Sequence, residues 1–549
     1  MSNQLYPLLY KPGIKRDGTS FQADFCTDGQ WVRFQRGNVR KMGSMRGMRD
    51  QGISQVNGKP LTSNITILPV TGNNSNMYVY LANGENGIHR TTSNQGLANS
   101  SCTQIYALNA PDIIWKSEIV IQNNNKFIVY VGSYNRSNIN SNVQAKLIWG
   151  GLTDNLKDLP NMPDNLQGLS GLLFASNYLF VYGSNGLVQW SKLKNPLDFS
   201  NSKDRNITIS NDQVVDAKAI RGGTNSPTIL FWTLTSIVRC INTPDAAGNL
   251  QFQIDVMSKD CSILSTRCVV ENNGMFFWPG TVKFYQYNGI TDKLTNLLSL
   301  NYFYDNIDMD RRQQVVGVKH DKYEEIWWFY PEKANSPLRD PNIPAGENSR
   351  AIIYNISENT WYDTAISRSA AVYSKEFGFL ASYGPPLSAP ANNNAALFRH
   401  DYEYLTPNSN IITEDYILNT GQERIEAIPS SFTTPVFSWA AFNPMKQLTG
   451  TDRWMLLVTI EPDFILLPAQ SDLKVIVNTK QYAQNAAISS DPFNVPSLQN
   501  PNDNTVSGIL DCKIDTAIQG RHMTLTFTTV FSNFEMGHLM LSLSIGDGK

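Results

Sequence analysis

Seven short runs of aromatic and β-branched residues recur along the middle of this chain, and their even pitch restricts the fold more than any other feature. They begin at Tyr78 (YVYLANG), Phe127 (FIVYVGS), Tyr178 (YLFVYGSNG), Ile229 (ILFWTLT), Met275 (MFFWPG), Ile326 (IWWFYP) and Phe377 (FGFLASYG). The spacing is about 50 residues, within the range of propeller blades. Most runs lead into turn residues, as at Asn83-Gly84, Gly132-Ser133, Ser184-Asn185-Gly186, Pro279-Gly280 and Tyr383-Gly384. Several then begin a second strand, as in LVQWSK (187–192) and VKFYQYNG (282–289). A single four-stranded blade cannot bury both of its faces; radial stacking buries them and leaves only short edges. Large aromatics suit the contacts between blades. The expectation is an all-β chain whose residues 61–405 form a β-propeller of six or seven blades.

The flanks read differently. Residues 1–60 form an N-terminal arm with anchoring strands. Its run QWVRFQRGNVRKMG alternates apolar and polar residues and predicts a hairpin turning at Gly37-Asn38. The arm is basic: Lys15, Arg16, Arg33, Arg36, Arg40, Lys41, Arg46 and Arg49 are interleaved with Trp31, Phe34 and three methionines. Either these residues form a solvated strand face that pairs with other sheets, or they meet DNA or an acidic partner. Residues 388–396 read as a loop before a short strand at 397–404. Residues 406–549 carry long strands with clean alternation: RWMLLVTIEP, DLKVIVNTK, GRHMTLTFTTV and GHLMLSLSIG. That is the pattern of an antiparallel β-sandwich-like platform domain.

Composition agrees with loop-rich β structure. Charged residues make up 17% of the 549, below the usual quarter or so, and Asn, Ser, Thr and Gly take their place. The net charge of -2 gives no general attraction to nucleic acid or an anionic membrane. Cys26, Cys102, Cys240, Cys261, Cys268 and Cys512 are scattered without a CxxC and read as buried thiols in a chain made in a reducing cytosol. The N-terminus lacks a signal-peptide core, and the longest apolar runs, such as 454–460, are too short to span a bilayer, so no membrane insertion is expected.

No catalytic, cofactor-binding or metal residue is assigned. His89, His320, His400, His522 and His538 show no HExxH or HxH spacing. There is no GxSxG elbow and no P-loop, and Gly222-Gly223 reads as a turn. The Ser-x-Asp-x-Gly-x-Thr-Trp box of sialidase propellers is absent; SENTW (357–361) lacks its Asp and Gly. The carboxylates weighed for glycoside hydrolysis are Glu324, Glu325, Asp305, Asp308 and Asp310. Glu324 and Glu325 read as an exposed strand start, and Asp308 or Asp310 as the cap or first-turn acid of a short helix.

The densest aromatic stretch, residues 274–363, carries a resemblance. FYDNIDMDRRQQVVGVKHDKYEEIWWFYPE (303–332) followed by RAIIYNISENTWY (350–362) resembles the tail nozzle or tail hub proteins of short-tailed bacteriophages, also described as packaged-DNA stabilisation proteins. The hairpin at 275–289, the strand bearing Glu325, Trp327, Trp328, Tyr330 and Pro331, and the pair Tyr354-Asn355 and Thr360-Trp361-Tyr362 follow the family's order. The final hairpin, with Gly520, Arg521 and Gly537, is similar as well; the match over 25–48 is looser. The resemblance implies a virion structural protein without enzymatic activity. It implies a homohexameric ring below the portal and adaptor, contacts with adaptor and portal-side proteins and with tail fibres or spikes, and a channel that retains packaged double-stranded DNA and conducts it during ejection. Such a protein is synthesised in the host cytoplasm and resides in the virion tail. Trp327, Trp328, Tyr330, Trp361 and Tyr362 are then blade-core residues. The rival readings are a surface propeller that cleaves host polysaccharide and a receptor-binding module that binds it without cleavage.

Overall fold

The computed structural model describes residues 4–48, 62–134, 146–160, 168–401, 425–442, 454–495 and 512–545, apart from short stretches inside these ranges. Arg49, Cys102, Gly222-Gly223, residues 388–395 and residues 402–424 lie outside the described residues.

Seven antiparallel sheets follow one another along the chain. Their first, innermost strands are Thr62–Val70, Ile113–Gln122, Leu169–Ala175, Val214–Ile220, Val270–Asn272, Val316–His320 and Ala370–Ser374. Each pairs with the strand that follows it in sequence. The seven aromatic runs supply the second strand of every blade, for example Tyr178–Gly183 in blade 3 and Glu325–Pro331 in blade 6.

Strand geometry explains why these runs lack polar residues. Side chains alternate between the two faces of a strand. In blade 3, Phe180 and Tyr182 pack with Phe231 of blade 4, while Leu179 and Val181 pack with Val129 and Val131 of blade 2. Both faces are buried, so both sets must be apolar. Apolar clusters of this kind join blade 1 to 2, 2 to 3, 3 to 4, and 4 through 5 to 6. Ile65, Ile67 and Val79 of blade 1 pack with Phe379, Ala381 and Tyr383 of blade 7, which closes the ring. The fold is a seven-bladed β-propeller.

The seventh blade is completed from the other end of the chain. The arm contains β1 (Gln4–Leu8), β2 (Lys11–Ile14), β3 (Phe25–Cys26), β4 (Asp28–Gln30), β5 (Val32–Gln35), β6 (Asn38–Lys41) and β7 (Met45–Met48). β7 pairs with Ala396–Arg399 as the fourth strand of blade 7. An N-terminal strand thus covers the edge that the C-terminal blade would otherwise expose.

The platform is two antiparallel sheets. One runs Ile514–Gly520, Met455–Leu466, Glu535–Ile545, β6, β5, with β1 also on Glu535–Ile545. The other runs β4, Ser430–Thr433, His522–Thr529, Lys474–Lys480, Ile488–Ser489. Strict alternation places Met523, Leu525 and Phe527 inward with Val475, Val477, Leu539, Leu541 and Leu543. The same core continues through Trp31, Val32, Phe34 and Val39 of the arm to Trp327, Phe329 and Tyr362 of blade 6. Platform, arm and propeller therefore share one apolar interior. Among the described residues no helix is long and apolar enough to cross a membrane.

Candidate functional site at the arm junction

The arm hairpin turns at Arg36-Gly37, one residue earlier than the sequence pattern places it. Both residues have positive φ (55° and 77°), as a two-residue turn between paired strands requires. The Glu358 carboxylate, in the blade 6 turn, accepts the Arg36 and Gly37 amides. Asn355 donates to the Phe34 carbonyl at 3.1 Å, and Arg36 donates to both oxygens of Glu535 on the platform. SENTW, the motif lacking its sialidase residues, is thus part of the turn that seats the arm.

Beneath this hairpin, Arg33 is fully buried. It makes a two-pronged pair with Asp401, both contacts at 2.8 Å, and its Nε lies 2.8 Å from Glu325 Oε1. Its guanidinium stacks 3.5 Å from the centre of the Tyr323 ring. Tyr362 and Trp327 donate to Glu325 at 2.7 and 2.8 Å, His320 lies 2.9 Å from Asp401, and the Gly43 amide donates to Asp401. Burial works against ionising Asp401, but Arg33 and His320 outweigh it and hold the carboxyl well below its ordinary range. This corrects the expectation for Glu325: it is 1% exposed, not an open strand start, while its neighbour Glu324 is exposed at a left-handed position.

A second network lies at the other end of blade 6. Arg350, fully buried, donates to Asp363 at 2.6 Å and to Glu332 at 3.1 Å. Arg16 of the arm donates to the other Asp363 oxygen at 2.9 Å and to Asp28 at 2.5 Å. The Asp17 carboxylate accepts the Asn301 and Tyr302 amides and so caps α1 (Leu300–Asn306) from outside, where Ser299 makes no side-chain cap. Gly13, at φ +125°, lies so close to Thr360 and Leu298 that a Cβ would overlap both.

The arm strands pair with other sheets as expected, but four of the eight basic residues lie on no solvated face and are closed to DNA. The side chain of Arg16 is 5% exposed, and Arg33, Lys41 and Arg46 are buried as well. Lys41 donates to the carbonyls of Ile428 and Val530 and to Ser430, and burial pulls its ammonium down to about 7. These cations are engaged inside the molecule. A cleft of about 310 Å³ lined by Lys15, Arg16, Asp17, Thr19, Tyr302 and Leu338 opens beside them, but its guanidinium is already committed to Asp28 and Asp363.

Asp305 and Asp310 are exposed. Asp308 caps the short helix Met309–Gln314 by accepting the Asp310 amide, as the sequence suggests. Its own amide donates to the Pro331 carbonyl at 2.9 Å. Pro331 ends the strand that Glu325 begins, which puts Asp308 and Glu325 roughly 20 Å apart by strand rise. Paired glycosidase carboxyls stand about 5–9.5 Å apart, so these two are not such a pair. Of the histidines, His320 and His400 join the junction, where Ser382 and His400 Nε2 lie 2.5 Å apart and burial keeps His400 neutral. Cys26, Cys240, Cys261 and Cys268 are buried free thiols, and burial pushes Cys26 and Cys240 up to about 12. Asp401, Asp363, Glu332 and Arg350 complete the junction and carry no motif that marks them in the sequence.

The propeller axis is also occupied. Arg267, which precedes the innermost strand of blade 5, donates to the carbonyls of Ser63 in blade 1, Ser369 before blade 7 and Gln313 before blade 6. It crosses the central opening, and burial pulls it down to about 10.

No protein-family model matches the chain, and no curated protein matches it. Among solved structures, the chain is similar to that of BBS1N in complex with ARL6DN, with 8% identity over 67% of this chain and 100% of that one, at a TM-score of 0.35. It is also similar to an ancestral GH74 enzyme, with 12% identity over 69% of this chain and a TM-score of 0.37; about half of that enzyme (51%) is covered.

Proposed function

We propose that this protein is a virion structural component: the subunit of a tail nozzle ring in a short-tailed phage. It acts by assembly and by holding and releasing DNA mechanically, without turnover. The observation that carries this reading is the continuous core through propeller, arm and platform, sealed by buried ion pairs on both ends of blade 6. A subunit built this way resists rotation of one part against another, as a ring around pressurised DNA requires. The stretch that bears the resemblance, 303–362, is the same stretch that receives the arm.

Two further features support it. Arg267 crosses the propeller's own axis, so DNA would pass between copies and not through one of them. Arg16 and Arg33 of the arm are neutralised within the chain, which leaves less basic surface to bind phosphates in a channel that must let DNA slide. Adaptor and portal-side proteins above, and fibres or spikes around the ring, are its partners; the DNA contact is non-specific.

Electron microscopy of the native assembly tests the proposal. The expected result is six copies in a ring around an axial channel, coaxial with a twelve-fold connector. Three copies, or a peripheral and flexible position, would overturn it in favour of a propeller that binds or cleaves surface polysaccharide.

A further inference from the structure

The innermost strands of blades 2 and 4 hold four ionisable residues that take no part in the arm junction. Lys116 and Glu118 stand two residues apart on Ile113–Gln122, and Asp216 and Lys218 two apart on Val214–Ile220, so each pair shares a strand face. The innermost strand of blade 3 lies between them and carries Gly171, where a Cβ would overlap the Tyr182 hydroxyl. In the space that the glycine leaves, Lys116 Nζ donates to that hydroxyl at 2.6 Å and is in direct contact with Asp216 Oδ1. The Ala217 amide also donates to Asp216 Oδ1, and Lys218 Nζ lies 3.9 Å from Oδ2. The Asp216 side chain is wholly buried and that of Lys116 is 12% exposed. Glu118 lies within electrostatic reach of Lys218, Lys116 and Asp216, and burial pushes its carboxyl up to about 7.

We propose that Lys116 and Asp216 form a modification site: an intramolecular isopeptide bond between Lys116 Nζ and Asp216 Cγ, with Glu118 as the proton relay. Transfer of a proton from the Lys116 ammonium to the Asp216 carboxylate gives the neutral amine and carboxylic acid, which is the reactive combination. The amine adds to Cγ, a C–N bond forms, and a Cγ–O bond breaks. Glu118 takes the proton from the amine and returns it to the departing hydroxyl, so one water leaves and nothing is oxidised or reduced. No co-reactant is needed, and the two reacting groups are already held together. The bond would tie blade 2 to blade 4 across blade 3.

Intact-mass spectrometry of the folded full-length chain tests this without any variant. The expected mass is about 18 Da below that of the sequence, for one lost water, and the deficit persists in denaturant. Peptide mapping then finds the peptides of Lys116 and Asp216 joined. Lys116→Arg restores the full mass. Glu118→Gln gives a chain with an unchanged thermal transition before cross-linking but a cross-linked fraction at least about tenfold lower at matched times, an outcome that a purely structural role for Glu118 would not produce. A folded wild-type chain at full sequence mass, or a link through Lys218, overturns the proposal and leaves the cluster as an ion-paired contact only.

Discussion

Arg33 holds two carboxylates, Glu325 and Asp401, that are buried together with it. Removing the cation leaves both buried and without that partner. Arg33→Leu is therefore expected to destabilise the chain by about 3–5 kcal/mol, read from urea unfolding, with the arm the first region to lose hydrogen-exchange protection. An unchanged midpoint would mean that the network contributes little. Asp472 gives a second test through pH. It accepts the amides of Val530 and Ser532 and the hydroxyls of Thr529 and Ser532. Burial opposes its ionisation, but the hydrogen bonds from Ser532 and Thr529 outweigh it, and its carboxyl is held at about 2 against an ordinary 3.8. A carboxyl depressed on folding contributes stability that is complete above its unfolded value and lost as pH falls towards the folded one. Stability should fall between about pH 4 and pH 2, and Asp472→Asn should make that fall shallower. Lys41 has the same sign of slope at higher pH: burial holds its folded value at about 7, below the ordinary 10.5, so the cost of burying the ammonium is full below about pH 7 and is relieved as pH rises between the two.

Among the elements, the strand Glu325–Pro331 shows how one run of residues serves two neighbours. Trp327 and Phe329 face the core shared with the arm and platform, and Ile326, Trp328 and Tyr330 face blade 5. Trp328 is fully buried, stacks near Trp361 at 6.0 Å, and donates to the Cys268 carbonyl at 2.9 Å. Trp328→Ala is expected to cost about 3–5 kcal/mol in equilibrium unfolding, and a variant of wild-type stability would contradict the packing described. The aromatic run, the short helix before it and the pair of strands ending at Ala365 are legible in the sequence because strand period and turn chemistry are local properties. The turn at Arg36-Gly37 falls one residue from its expected place because Gly37 allows positive φ at either turn position, and the Glu358 carboxylate that receives the two amides lies far along the chain.

For the whole molecule, the arm is the part on which closure depends. It supplies the fourth strand of blade 7 and strands to both platform sheets. A chain lacking residues 1–48 would leave Ala396–Arg399 as an open edge beside an incomplete core. The expected result in size-exclusion chromatography is soluble aggregate, not a monodisperse propeller, because exposed strand edges pair with one another. The blade pitch, the all-β class and the two-sheet platform follow from the sequence alone, since burying both faces of a strand demands apolar residues at every position and burying one face demands alternation. The tertiary structure alone decided that the blades number seven, that β7 closes the ring, and that Arg33, Arg16 and Lys116 are matched with Asp401, Asp363 and Asp216. A charged residue reads the same in sequence whether it faces water or a buried partner; which of the two it meets depends on strands far away in the chain being brought alongside it.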